Sequence, residues 1–260
     1  MLSKHKKMIA TTQSDIDTLR QAGSILAQVL RDTALLVKPG TTTAALDLAA
    51  EESIRAQGAV PAFLNYKPQG ATYPYPAVLC VSINDEVVHG IPSEERILAE
   101  GDVVALDLGL SYKGLFVDHA VTVCVEEGDD AAQKLLAGTK EALSVAISAV
   151  KAGGHVGDIG AAVEGVARKY NLAIVTDLGG HAVGKSVHEK PFIANAGTAG
   201  TGEKLVEGMV LAIEPILTEG RGAITLAEDE WTYRTRDHSR AAHFEHTILI
   251  TKDGAEILTK

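Results

Sequence analysis

Four carboxylates interrupt stretches of sequence that are otherwise apolar enough to form buried strands. They are Asp107, Asp118, Glu214 and Glu245, within residues 103–110, 115–125, 210–217 and 244–250. A buried carboxylate needs a partner, because burial disfavours its charged form. The first two segments contain no lysine or arginine. A bound cation or a shared proton is therefore the simplest partner for these acids.

The first two acids are expected to face each other across a hairpin. If the chain turns at residues 111–114, residues whose numbers sum to 225 lie opposite each other, which pairs Asp107 with Asp118. Like charges in directly opposite positions are destabilising, and this favours a cation between them. Oxygen donors with at most a histidine or two suit Mn, Fe(II), Co or Mg better than a thiolate-type zinc site.

Four carboxylates would neutralise two divalent cations. Two metals that share carboxylates can deprotonate a common water and polarise a carbonyl, which is hydrolase chemistry. His89, His181 and His188 lie at strand ends or in glycine-rich turns, and beside the acids they become candidate site residues. Residues 179–186 also match the phosphate-loop pattern, but Pro191 follows too soon for the phosphate-binding helix. We therefore interpret Lys185 and Ser186 as turn residues.

The elements that must position these residues follow from hydrophobic periodicity and capping signals. A capping box at Ser14 predicts a first helix that ends near residues 37–40, and residues 41–43 cap a second helix that runs to Gly58. The remaining predictions are strands over residues 78–83, 102–110 and 115–125, a helix over 131–150, and strands over 172–176, 209–217 and 242–251.

The helical pattern occurs twice, at a shift of 113 residues. Residues 150–153 repeat residues 37–40, and Glu51 and Arg55 correspond to Glu164 and Arg168. Such self-similarity indicates a duplicated half, although two amphipathic helices could also align by chance. We expect one domain over residues 1–260, with halves at roughly 14–127 and 128–260.

Composition excludes several classes of protein. The chain has 260 residues, 46% of them hydrophobic and only 4% aromatic, and a formal net charge of −10. That charge disfavours nucleic-acid binding. Two cysteines, Cys80 and Cys124, cannot form a disulfide framework. The basic start at residues 1–10 lacks a signal-peptide core, and no stretch is apolar enough to span a membrane. We expect a soluble protein of a reducing compartment.

In order and spacing, these residues resemble the type I methionine aminopeptidases across nearly the full length of the chain. The segments that carry the resemblance are residues 81–92, Asp107 with Asp118, residues 180–184 with His188 and Glu189, residues 213–215, and Trp231 with residues 244–247. The resemblance implies an α+β class and the pita-bread fold: two pseudo-symmetric αβ halves with a curved antiparallel sheet around a dinuclear metal site.

The resemblance also implies roles for individual residues. It implies five metal ligands, of which Asp118 and Glu245 bridge both metals, Asp107 completes one site, and His181 with Glu214 completes the other. A metal-bridging hydroxide attacks the first peptide bond and Glu214 helps to move its proton. His188 stabilises the developing oxyanion, and His89 contacts the scissile amide or the amine of the substrate.

The family's methionine pocket maps onto five further residues: Phe63, Tyr66, Tyr75, Cys80 and Trp231. Ordinary core packing is an alternative interpretation of each. The implied cofactors are two divalent metal ions, Co, Mn or Fe(II). The implied substrates are the N-termini of nascent polypeptides near the ribosome, from which the enzyme removes the initiator methionine. The resemblance also implies a cytoplasmic monomer that binds neither nucleic acid nor membrane.

The sequence departs from the type I pattern at several positions. Gly109 and Ala120 replace the hydroxyl residues that usually follow each aspartate by two, and His243 stands where glutamine is common. Residues 67–74 form an apparent insertion at the pocket rim. Gly109 leans towards an Xaa-Pro peptidase of the same fold, which is the first alternative. A non-catalytic binding relative is the second, although such relatives lose metal ligands.

Overall fold

The computed structural model describes residues 9–10 and 12–260. Most of the basic start, residues 1–8, therefore lies outside the described residues. Four helices and fifteen strands are found in the described part of the chain. The helices are α1 (Gln13–Ala34), α2 (Thr43–Ala56), α3 (Asp130–Ala149) and α4 (Val156–Tyr170). None of these helices combines the length and hydropathy that crossing a bilayer requires.

The strands are short except for one long hairpin. They are β1 (Val60–Pro61), β2 (Leu79–Ile83), β3 (Glu86–Val88), β4 (Val103–Tyr112), β5 (Leu115–Cys124), β6 (Ala173–Ile174), β7 (Gly179–Ala182), β8 (Glu189–Ala194), β9 (Val210–Ile213), β10 (Ile216–Thr218), β11 (Ile224–Leu226), β12 (Tyr233–Thr235), β13 (Ala241–His243), β14 (His246–Thr251) and β15 (Gly254–Ile257). The phosphate-loop pattern at residues 179–186 is followed by strand β8 and not by a helix, as predicted.

The N-cap of helix α1 lies two residues before the predicted cap. The N-cap is Thr12, whose backbone is extended and whose hydroxyl accepts a hydrogen bond from the Asp15 amide at 3.1 Å. The prediction of a cap at Ser14 is wrong, because either hydroxyl residue fits the sequence pattern and Ser14 lies inside the helix. The helix also ends early, since the amides of Leu36 and Val37 turn back to Thr33 and Ala34.

The strands form four sheets, and all of their pairings are antiparallel. In the first sheet β1 and β2 pair with successive parts of β4, whose other edge pairs with β5. The largest sheet has the order β15-β14-β9-β7-β8. Two three-stranded sheets, β13-β10-β6 and β11-β12-β3, complete the structure.

The β4–β5 hairpin differs from its predicted register. Tyr112 pairs with Leu115, so the turn is the two-residue Lys113-Gly114 with positive φ at both positions, typical of type I′ hairpins. Opposed residue numbers therefore sum to 227. The predicted direct pairing of Asp107 with Asp118 is wrong: Ala120 lies opposite Asp107, and Gly109 lies opposite Asp118. The two aspartates are diagonal neighbours and still share one face of the sheet.

Two predicted strands are each interrupted at a glutamate. Residues 209–217 form β9 and β10, with Glu214 and Pro215 between them, and residues 242–251 form β13 and β14, with Phe244 and Glu245 between them. Proline has no amide proton to donate to a ladder. The same two breaks carry the chain from the five-stranded sheet (β9, β14) to a three-stranded sheet (β10, β13). Both glutamates thus lie where the chain passes between these two sheets.

Two main hydrophobic clusters hold the helices against the sheets. One packs α1 and α2 against β2, β4 and β5, and the other packs α3 and α4 against strands of the later sheets. Leu106, Leu108 and Leu110 of β4 belong to the first cluster. Because side chains alternate along a strand, Asp107 and Gly109 face the opposite side of the sheet. That opposite side carries the candidate site.

Candidate metal centre

The five predicted metal ligands come together from both parts of the chain. Single ligand atoms of Asp118, His181 and Glu245 all lie within 4.8 Å of one another. His181 Nε2 is 3.9 Å from Asp118 Oδ2 and 3.6 Å from Glu214 Oε1. Asp107 lines the same cavity as these four residues. The side chains are almost fully enclosed, with Asp118 only 3% and Glu245 only 2% exposed.

Polar contacts fasten β5 to the segment that carries Glu245. The Thr247 hydroxyl accepts from the Asp118 amide at 2.8 Å and donates to the Asp118 carbonyl at 2.7 Å. The Glu245 amide donates to the Ala120 carbonyl at 2.9 Å, and His119 Nδ1 contacts the Glu245 carbonyl. These bonds cross from a strand of the first sheet to β14, so they set the separation of Asp118 and Glu245.

The carboxylates lack the counter-charges that burial demands. Burial raises the pKa of Asp107 well above its usual range, and Asp118 and Glu214 raise it further. Burial and the same acidic neighbours raise the pKa of Glu245 strongly. The pKa of Asp118 rises to about 6, mainly through burial, although His181 opposes the shift. Asp107 Oδ1 and Glu245 Oε1 are buried without a hydrogen-bond partner.

These observations fit a divalent cation. Unpartnered buried oxygens and raised pKa values mark places where positive charge would stabilise the ionised acids. His181 Nδ1 lies 3.0 Å from the Ala182 carbonyl, so a proton on Nδ1 leaves Nε2 free as a ligand atom. Four carboxylates and one imidazole suit hard or intermediate cations. Burial and Asp107 also raise the pKa of the Cys80 thiol well above its usual range, so without a cation the thiol is protonated.

Glu214 differs from the other acids in its protonation. Desolvation alone would raise its pKa, but contact with His243, together with His181 and His188, lowers it on balance. His243 Nε2 lies 3.3 Å from Glu214 Oε2 and has no well-aligned hydrogen-bond partner. His243 is buried and does not point into solvent. Glu214 is therefore ionised at neutral pH beside a buried imidazole.

His89 and His188 both line this cavity. Burial lowers the pKa of His89 to about 4, and its backbone is left-handed at φ 60°. Solvent reaches part of His188, yet desolvation within the cavity and the nearby His181 lower its pKa to about 3. Its Nδ1 is 2.8 Å from the Tyr66 hydroxyl. Both imidazoles are neutral at pH 7.

An apolar pocket adjoins the acids. The cavity has a volume of about 460 Å³ and includes all five predicted pocket residues in its lining. Phe63, Tyr75, Cys80 and Trp231 also form one hydrophobic cluster, against which Tyr66 packs. The Tyr75 and Trp231 rings meet edge to face at 5.1 Å. The structure thus brings together the residues that carry charge and the residues that could hold a side chain.

Residues 67–74 pack at the rim without displacing the pocket. The backbone of Tyr75 closes the base of this loop through hydrogen bonds with Asn65 and Tyr66 at 2.9 and 2.8 Å. The Tyr73 hydroxyl bonds the Asp229 carbonyl, and the Tyr73 ring lies 6.2 Å from that of Trp231. The loop therefore supports the segment that carries Trp231.

Some residues at the site were not predicted from the sequence. Leu178 and the half-exposed Phe192 line the cavity mouth, and Thr122 joins Thr247 in fastening the site through two hydrogen bonds with the His243 backbone. Threonines at strand positions give no distinguishing sequence signal, because the same residues are common in strands for their β propensity. Phe192 could have been suspected from its place in a strand next to a charged turn.

The chain matches the model of "Metallopeptidase family M24" over residues 17–252. A methionine aminopeptidase from Aquifex aeolicus is 47% identical over 252 residues, which cover 96% of this chain and 97% of that protein. The crystal structure of a methionine aminopeptidase from Thermotoga maritima is similar, with a TM-score of 0.93 at 41% identity and coverage of 97% and 99%.

A more distant similarity concerns the fold alone. The Xaa-Pro dipeptidase from Bacillus anthracis has a TM-score of 0.74 at 22% identity, with coverage of 98% of this chain and 62% of that chain. The shared architecture is the α+β pita-bread fold that the sequence predicted. The higher identities all point to the methionine aminopeptidases and do not favour the Xaa-Pro alternative.

Proposed function

This chain belongs to metallopeptidase family M24, and from that premise we propose that it hydrolyses the first peptide bond of polypeptides and releases their N-terminal methionine. It is a hydrolase of the methionine aminopeptidase type. The observation that carries the proposal is the union of five buried ligand residues with an apolar pocket in one cavity. When the pocket binds the first side chain of a peptide, the first peptide bond lies beside the acids.

We propose that the centre holds two divalent cations, Co, Mn or Fe(II). Asp118 and Glu245 would contact both, Asp107 would complete one site, and His181 with Glu214 would complete the other. The three acids with raised pKa values support this assignment. When bound, the cations lower the pKa of water and polarise a carbonyl.

The chain's own residues then move protons and stabilise charge. Glu214 is ionised and accepts a proton from the attacking water, because contact with His243 keeps its pKa low. If the Tyr66 hydroxyl donates to His188 Nδ1, the other ring nitrogen, Nε2, carries the ring proton and donates a hydrogen bond to the developing oxyanion. His89, whose lowered pKa keeps it neutral at pH 7, contacts the scissile amide or the substrate amine.

The pocket selects the first side chain by shape and lack of charge. The five residues Phe63, Tyr66, Tyr75, Cys80 and Trp231 offer aromatic and thiol surfaces, and Cys80 stays protonated. An unbranched thioether packs well against aromatic rings. Methionine is therefore the N-terminal residue that fits best.

We also propose that residues 1–260 are one catalytic domain made of two similar halves, 14–127 and 128–260. The N-caps of α2 and α4, Thr42 and His155, are 113 residues apart, as are the ion pairs Glu51–Arg55 and Glu164–Arg168. Gly40 and Gly153 have φ of 86° and 89°. Each donates to a leucine carbonyl, of Leu98 or Leu205, at 2.8 Å.

For its surroundings we propose a cytoplasmic monomer that acts on nascent chains near the ribosome. The substrate of an aminopeptidase is a free N-terminus, and nascent chains supply N-terminal methionine. The net charge of −10 disfavours direct binding to nucleic acid.

The proposal is tested by measuring amino-acid release from Met-Ala-Ser and from Ala-Pro peptides, with Mn²⁺ and with chelator. We expect Mn²⁺-dependent release of methionine from the first peptide and little turnover of the second. Faster turnover of the Ala-Pro peptide would support an Xaa-Pro peptidase instead. No turnover of either peptide by the Mn²⁺-loaded protein would reject the enzymatic function.

A further inference from the structure

Gly109 lies on β4, one of the strands that carry predicted metal ligands, and departs from the family pattern. It follows Asp107 by two residues on β4 and lies directly opposite Asp118 on β5. A side chain at this position would therefore face the same side as both acids. Gly109 does not adopt a positive φ, so its backbone conformation does not require glycine. The reason for a glycine must be sought in its surroundings.

The surroundings of Gly109 are the ring of Phe63. A Cβ built at residue 109 would lie 2.7 Å from Phe63 Cε1 and 3.1 Å from Cζ, and 3.3 Å from Ala62 Cβ. The Ala62 amide donates to the Gly109 carbonyl at 2.9 Å, which holds Phe63 at this level of the strand. The space of a side chain at residue 109 is thus filled by an aromatic ring from the neighbouring segment.

Two other glycines near the site behave differently. A Cβ at Gly90 would meet the Val81 carbonyl oxygen at 2.2 Å, and one at Gly180 would meet the Ala212 carbonyl oxygen at 2.2 Å. Those contacts are with backbone, which cannot yield without disturbing a strand. At Gly109 all three nearest atoms belong to side chains. A methyl group there would displace the Phe63 ring and leave the strand in place.

The Phe63 ring borders the empty space of the cavity. Phe63 is buried, and it lines the cavity together with Asp107, Cys80 and Trp231. Because a packed interior has little spare volume, a ring pushed off Gly109 shifts towards the empty space of the cavity. Any group at residue 109 would therefore shorten the pocket beside the acids.

We propose that Phe63 and Gly109 act as a pair that sets the depth of the pocket for the first side chain. The absence of a side chain at Gly109 leaves the space that the Phe63 ring occupies. This inference rests on the proposed function for the identity of the ligand, an unbranched N-terminal side chain. It makes Gly109 a specificity determinant although the residue has no side chain of its own.

The test compares Gly109→Ala, Phe63→Ala and the double variant, all loaded with Mn²⁺. The substrates are tripeptides X-Ala-Ser with norvaline, methionine or ethionine at X, in order of increasing length. Gly109→Ala should lower kcat/KM for methionine about tenfold relative to norvaline. Phe63→Ala should raise the ratio for ethionine over methionine by about tenfold. In the Phe63→Ala background the Gly109→Ala change should lose most of its effect, because the ring it displaces is gone.

Two control variants separate pocket shape from stability. Gly165→Ala adds a methyl group on a helix, and apart from the backbone of that helix and the two chain neighbours no described atom lies within 4 Å of it. Leu135→Ala removes a core side chain away from the cavity. Both should keep the wild-type order of the three substrates. Unchanged substrate ratios in Gly109→Ala, or an undiminished effect of that change in the Phe63→Ala background, would overturn the pairing.

Calorimetry with free norvaline, methionine and ethionine makes the test independent of turnover. The affinities of the wild type and variants should follow the same order as the kinetic ratios. Binding of methionine without turnover would reject the proposed reaction, and the affinities would still decide the inference. A wild type that binds none of the three amino acids would overturn it.

Discussion

At the scale of single residues, the centre depends on acids that are poorly paired without a cation. Asp118 is the clearest case, because burial raises its pKa to about 6 while its Oδ1 still accepts a hydrogen bond from the His119 amide at 3.1 Å. An aspartate in an unfolded chain has a pKa of about 3.9. The folded, metal-free protein therefore binds this proton more tightly than the unfolded chain does.

The sign of the resulting pH dependence is fixed. An acid with a raised folded-state pKa makes stability fall as pH rises from about 4 to beyond 6. In chelator, Asp118→Asn should therefore raise the free energy of unfolding at pH 8 by about 1–3 kcal/mol and change it little at pH 4.5. Urea unfolding at both pH values measures this.

The same variant should behave in the opposite way with Mn²⁺. A cation that binds only the folded wild type stabilises it, by about 4.1 kcal/mol at a thousandfold excess over Kd, which exceeds the gain of the variant in chelator. Asp118→Asn should then be less stable than the wild type at pH 8. If chelator and Mn²⁺ gave the same difference, Asp118 would not be a ligand.

His243 is expected to position Glu214 and to keep it ionised. Replacing it with leucine removes the contact at 3.3 Å, so the pKa of Glu214 should rise and kcat should fall about tenfold. The acidic limb of the kcat–pH profile should move to higher pH. His243→Gln retains a donor and should keep the wild-type profile more closely.

A matched control for His243 is His238→Gln, a change at an exposed histidine paired with Asp85. It should leave the profile unchanged. An acidic limb that stays in place in His243→Leu would show that the buried imidazole does not govern Glu214.

At the scale of elements, the sequence predicted most helices and strands but not their exact pairing. Alternating hydrophobicity identified β4 and β5, and with them the shared face of Asp107 and Asp118. The register was misjudged by two residues, because the four residues 111–114 all resemble a turn and only the backbone shows that Lys113-Gly114 forms it. The acids became diagonal neighbours without losing their common face.

The sequence pattern also did not predict the breaks in the later strands. Hydrophobic runs across Glu214 and Glu245 read as continuous strands, whereas the chain changes sheets at both points. Sheet membership depends on long-range pairing, which periodicity does not record. Those breaks nevertheless explain how two glutamates leave a ladder and turn towards the site.

The contact between β5 and β14 sets the distance between Asp118 and Glu245. Thr247→Val removes a hydroxyl that serves both the amide and the carbonyl of Asp118. Two buried backbone groups then lose a partner, so we expect a loss of about 1–3 kcal/mol in the free energy of unfolding. The apparent Mn²⁺ affinity should fall as well. Urea unfolding and calorimetry measure the two effects.

Thr225→Val, on an exposed strand position, provides the comparison. It should change stability by no more than about 0.5 kcal/mol. Equal stability losses in the two variants would mean that the hydroxyl of Thr247 has no special part in joining the strands.

At the scale of the whole molecule, we propose that the site lies between two similar sets of helices and sheets. The sequence predicts a repeat through residues 37–40 and 150–153, and Gly40 and Gly153 have nearly equal positive φ in support of it. Each set supplies two of the four acids, so neither set alone can assemble the centre. The rim loop, residues 67–74, could not be placed from the sequence, since its docking depends on contacts with Asp229 and Trp231 far along the chain.

The most direct test is a titration of Mn²⁺ into the chelated, metal-free protein while methionine release from Met-Ala-Ser is followed. Release should be undetectable without metal and should rise with added Mn²⁺, and Glu245→Gln should stay inactive at every concentration. Methionine release at the same rate before and after removal of the metal would contradict a metal-dependent aminopeptidase centred on these acids.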